Sequence, residues 1–177
     1  MKLGILVLVT SILVTNALGE TDEFDGIKCG SDIPKALIGK RFSHGKVVQT
    51  EKRHADLGLK DLGGDETSDR LFSSWWLICG SEYLLLQDRS IIRDVLKIPP
   101  HSKTSPEFYG SMCEINGKKS NDLVVAILDN EKETDAKMLP AKVAWKLDEK
   151  KMKFVSIPVE GLRCSRDNGV LGEDSGR

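Results

Sequence analysis

From Leu71 onward, apolar and polar positions change in short runs broken by turn residues. Leu71 to Cys79 and Glu82 to Gln87 flank Gly80-Ser81, a permitted two-residue turn, and predict a β-hairpin. Ile91 to Ile98 predicts a third strand, stopped by Pro99-Pro100, which cannot extend a ladder. Tyr109 to Ile115 and Leu123 to Leu128 predict another strand pair around the Asn116-Gly117 turn signal. Lys142 to Leu147 and Met152 to Ile157 predict the last hairpin, turning at Asp148 to Lys151. Here Val143, Trp145 and Leu147 alternate with Ala144 and Lys146, as a half-buried strand requires.

Before Leu71 the pattern is weaker. Ile33 to Ile38 has Ser31 or Asp32 as a cap, Pro34 in the first turn and Gly39 as a terminator, so one short helix is expected. Residues 50–69 are polar and carry Gly58, Gly63 and Gly64, which predicts a helical turn followed by a loop. The fold class that follows is mainly β: an antiparallel sandwich or small barrel of about seven to eight strands with one short N-terminal helix.

The N-terminus follows a different rule. Lys2, the apolar run Leu3 to Val14 and the Ala17-Leu18-Gly19 ending match a cleavable secretory signal over residues 1–19. That run spans only ~18 Å as a helix, against a hydrocarbon core of ~30 Å, so a retained anchor fits poorly. Glu20 stands where lipid attachment would need Cys, which excludes a bacterial lipoprotein. The expected organisation is a signal peptide at 1–19, a mobile segment at 20–28, one β-rich domain at 29–164 and a disordered tail at 165–177. The expected location is secreted or periplasmic.

Export makes the cysteines informative. Cys29, Cys79, Cys113 and Cys164 are even in number and, in an oxidising compartment, predict two disulfides. No CxxC spacing occurs, so cysteine-based redox or zinc chemistry is not expected. Three connectivities are open, with Cys29–Cys79 and Cys113–Cys164 slightly favoured. With 26 basic and 27 acidic residues interspersed, no nucleic-acid or anionic-membrane partner is indicated.

Trp75 and Trp76 are adjacent, so on a strand they face opposite sides. Their two faces, Leu71-Ser73-Trp75-Leu77 and Phe72-Ser74-Trp76-Ile78, are both largely apolar. Either the strand is covered on both sides, or one indole is exposed and lines a contact surface, with Trp76 slightly preferred. Trp76, Trp75 and Tyr83 are therefore the candidate binding residues of a non-enzymatic binding or inhibitor-type module. Its partner would be a protein or small ligand in the exported compartment.

Other chemistry is sparse. Asp61 to Asp69 gathers carboxylates beside Gly63 and Gly64, but matches no calcium loop and reads as a solvated acidic turn. Glu51, His54 and Asp56, or His101 beside Ser102 and Ser105, are the candidates for a small secreted hydrolase assembled from loops. His44 has no partner at metal-ligand spacing. No metal or cofactor is expected. A barrel carrying a small apolar ligand is a further alternative.

Overall fold

The computed structural model describes residues 22–42, 45–101, 107–110, 112–129 and 137–165. The expected signal peptide, residues 1–19, and residues 166–177 of the expected tail lie outside these residues, as do His44, Ser102 and Ser105.

Two antiparallel sheets form the molecule, as the strand pattern predicts. The first is a meander in the order β1-β2-β3-β4: Lys60–Glu66, Leu71–Ile78, Ser81–Asp88 and Ile91–Lys97. Ile78 pairs with Ser81, so the β2–β3 turn is Cys79-Gly80, one residue earlier than expected. Both residues have positive φ, 52° and 73°, the conformation that a two-residue turn needs to follow the strand twist. β1 corrects the expected loop at 60–66: its sequence shows no clean alternation, yet its backbone pairs with β2 from Lys60↔Leu77 to Glu66↔Phe72.

The second sheet contains β5 (Glu107–Gly110), β6 (Cys113–Ile115), β7 (Lys118–Lys119), β8 (Val124–Leu128), β9 (Met138–Asp148), β10 (Lys153–Ile157) and β11 (Leu162–Ser165). Its order is β5-β8-β9-β11-β6-β7, with β10 also paired to β9. The expected single strand from Tyr109 to Ile115 is two strands. Asn116-Gly117 does close a hairpin, but between β6 and the short β7, while β8 pairs with β5. β11, unheralded in the sequence, is held between β6 and β9.

The helical layer is α1 (Ile33–Leu37), capped by Asp32 accepting from Lys35 N–H at 3.1 Å, and α2 (Val47–Arg53), followed by a 3-10 turn at Ala55–Leu57. It covers one face of the first sheet, where Phe24, Ile33, Leu37, Phe42 and Leu57 pack on Trp76, Ile78, Tyr83 and Leu85. The other face meets the second sheet through Leu71, Trp75, Leu84 and Leu86 against Val125, Ile127, Leu147 and Phe154. The far side of the second sheet buries Val124, Ala126 and Leu128 with Leu139, Leu162 and the Cys113–Cys164 disulfide. The other disulfide, Cys29–Cys79, ties the N-terminal segment to the β2–β3 turn.

This layering decides between the two alternatives for β2 in favour of cover on both sides. Because both faces of β2 are covered, neither indole is exposed: Trp75 and Trp76 are 4% and 2% accessible, and Tyr83 is 4%. The covering comes from the second sheet on one side and the helical layer on the other. Within residues 22–28, Phe24 and Ile27 pack into the helix-side core. Phe24 and Ile27 are apolar, and burying them stabilises the docked turn by roughly 1.5–3 kcal/mol each for full burial.

Candidate functional site

On the helix-covered face of β2, Phe72, Ser74 and Trp76 stand in a row, two residues apart. Opposite them on β1, Gly64 pairs with Ser74 and Asp61 with Trp76, across an irregularity between Asp61 and Gly63. Two glycines remove side chains from that stretch of strand, so the sheet surface lies open. A Cβ at Gly64 would stand 2.5 Å from the Ser73 carbonyl oxygen and 3.1 Å from the Phe72 ring. Glycine is therefore required there by close approach, not by turn geometry.

The result is a recess of about 190 Å³, walled by Phe42, Phe72 and Trp76, rimmed by Gly45, Val47 and Asp61, and floored by Gly63, Gly64 and Ser74. Trp76 thus contributes a ring wall to a concave site although almost none of it is exposed.

The floor is polar beneath an apolar surround. The Ser74 hydroxyl accepts from Trp76 Nε1–H at 3.1 Å and from Gln87 Nε2–H at 2.8 Å. Gln87, paired with Phe72 across β2 and β3, is completely buried, and its Oε1 has no hydrogen-bond partner. A buried amide oxygen without a partner carries a desolvation cost of about 1–3 kcal/mol. Two incoming N–H groups occupy the serine's two lone pairs, so its remaining capacity is as a donor. Among the described residues its proton has no acceptor.

At the rim, Asp61 accepts the Gly63 N–H on one oxygen at 2.9 Å, and its own N–H donates to Glu51 at 2.8 Å. Among the described residues, Asp61 is the one charged residue of the lining.

The histidine candidates are dispersed. His54 Nε2 lies 2.7 Å from Asp22 and 3.8 Å from Asp25, not against the exposed Asp56. Asp22 also takes Arg53 at 3.1 Å and the Phe24 N–H at 2.9 Å. Asp22, Asp25 and His54 are close enough in space to share an ion. Their hydrogen bonds instead fasten the N-terminal turn, with Lys40 Nζ donating to the carbonyls of Glu23 and Asp25. His101 belongs to another neighbourhood, 3.5 Å from Glu82, which also accepts from Trp75 Nε1–H. Glu51 serves as the acceptor for β1. Among the described residues, the structure joins His54 to neither Glu51 nor Asp56; the serines expected beside His101 lie outside those residues.

The acidic stretch is divided too: Asp61 and Asp65 turn their carboxylates onto nearby backbone N–H groups within β1. Tyr83 packs into the helix-side core, with Lys97 Nζ 6.0 Å from its ring centre.

Comparison with known proteins adds no relative to this geometry. No family model, no curated protein and no solved structure matches the chain. The site is thus read from its own residues.

Sequence reasoning found Trp76 but missed Phe42, Ser74 and Gln87. Ser74 and Gln87 left a detectable signal: each interrupts an apolar face at a position that the strand period directs inward. Phe42 left none, because its place depends on the backbone bridge between Arg41 and Ile91.

Proposed function

We propose that this chain is an exported, non-catalytic binding protein that holds a small ligand in the Phe42–Phe72–Trp76 recess. The observation that carries this reading is the recess floor, where Ser74, fixed from behind by the buried Gln87, stands as a polar group below three aromatic rings. A purely structural core would more cheaply place apolar side chains there. Aromatic walls with a few fixed polar groups are the usual composition of small-molecule sites.

Export rests on the pattern of residues 1–19, and the two disulfides agree with an oxidising compartment. The described residues contain no helix long and apolar enough to cross a membrane.

The test uses protein recovered from the exporting cell, its N-terminus sequenced and expected at Glu20. Small aromatic compounds are then titrated while the Trp76 indole N–H resonance is followed. Binding should shift that resonance, and Val47→Trp, which fills the rim, should abolish the response. Undiminished binding by Val47→Trp would place the ligand elsewhere.

A further inference from the structure

We propose that the recess selects small primary or secondary amides: the ligand carbonyl accepts from Ser74, its N–H donates to Asp61, and its apolar body lies among Phe42, Phe72 and Trp76. This inference rests on the recess being the binding site and adds the chemistry that it recognises.

Three observations lead there. Ser74 has both lone pairs engaged by Trp76 and Gln87, so it faces a ligand as a donor, and the matching group is an acceptor such as a carbonyl. Asp61, the charged residue among the described ones of the lining, is an acceptor when ionised. It favours an N–H group and repels a carboxylate. The third observation is placement. Ser74 and Asp61 both line the one recess, with Ser74 facing Gly64 and Trp76 facing Asp61 across β1 and β2. An amide carries side by side the carbonyl acceptor and the N–H donor that these two groups call for.

The apolar part of the ligand is limited by the walls. A space of about 190 Å³ admits one ring, and Gly64 leaves no room for a side chain of its own. Gln87 is a positioning residue in this scheme. Its Nε2–H bond at 2.8 Å, together with that of Trp76, fixes the direction in which the serine proton can point.

The experiment titrates the processed, disulfide-bonded protein with benzamide, benzoate and toluene, again reading the Trp76 indole resonance. These probes share a ring and differ in the polar group. Benzamide should bind at least about tenfold more tightly than either of the others, a difference of ~1.4 kcal/mol. Ser74→Ala should weaken benzamide about tenfold more than it weakens toluene, the size expected for one hydrogen bond. Asp61→Asn, on a half-exposed rim and independent of the Ser74 core position, should narrow the gap between benzamide and benzoate.

Equal affinity for benzamide and toluene in the wild-type protein would overturn amide selection while leaving the recess as an apolar site. So would an unchanged benzamide–benzoate gap in Asp61→Asn. A Trp76 resonance that responds to none of the three probes would overturn the recess reading itself.

Discussion

Asp88, the last residue of β3, has a side chain that is only 7% accessible, and it is held by two arginines. Arg70 grips it with Nε at 3.0 Å and Nη2 at 2.6 Å, and Arg93 adds a contact at 3.3 Å. The Arg70 hydrogen bonds, reinforced by the charges of both arginines against the cost of burial, hold the Asp88 carboxyl below its ordinary range. Asp148 is lowered likewise, first by the Lys151 side chain and then by its backbone N–H. A carboxyl that is more acidic when folded stabilises the protein above the unfolded value, about 3.9 for aspartate, and that contribution disappears as pH falls through the folded value. The unfolded chain takes up the proton first, so acid favours unfolding. Asp88→Asn should accordingly lower Tm at neutral pH and flatten its decline below about pH 4. A Tm profile parallel to that of the wild type through this range would show that the arginine clamp does not control the acid limb.

The elements legible in the sequence were those whose partners lie next in the chain. β2, β3 and β4 form successive hairpins, and their apolar runs and turns sufficed to predict them within a residue or so. β11 escaped because its partners β6 and β9 are not its chain neighbours, and β1 escaped although β2 is next in the chain, because Lys60–Glu66 is polar and glycine-bearing and shows no alternation. The same distinction governs the candidate site. Trp76 was conspicuous by composition, whereas the partner of His54 lies 32 positions away in a segment expected to be mobile.

That segment supplies the prediction at this scale. Asp22 caps its own turn by accepting from Phe24 N–H, and Phe24 packs with its ring centre 5.0 Å from that of Trp76 and 5.9 Å from that of His54. Phe24→Ala should therefore cost about 3–5 kcal/mol, in the range for a buried phenylalanine, and not the few tenths typical of a loose terminus. Urea unfolding of the two proteins measures the difference. A loss under 1 kcal/mol would mean that residues 22–28 are not part of the cooperative fold.

Across the whole molecule, the two disulfides close chain segments of nearly equal length, with separations of 50 and 51 residues. Chain entropy consequently assigns each about 4 kcal/mol and does not distinguish them. Their surroundings do. Cys113 and Cys164 are 1% and 0% accessible and join paired residues of adjacent strands, inside the core on the far side of the second sheet. Cys29 is exposed and Cys79 partly so, at the margin where the helical layer meets the first sheet. Thiolate attack requires access, so dilute reductant should open Cys29–Cys79 first. The partly reduced protein should keep both sheets, because their ladders and the intersheet core do not depend on that bond. Its helical layer should loosen around Trp76, along with the recess that the layer encloses. Alkylation and peptide mass mapping over a reduction time course would identify the first bridge opened, and the Trp76 indole resonance would report the recess at the same stage. Loss of Cys113–Cys164 first, or simultaneous collapse of both sheets with the first reduction, would contradict this division of the molecule.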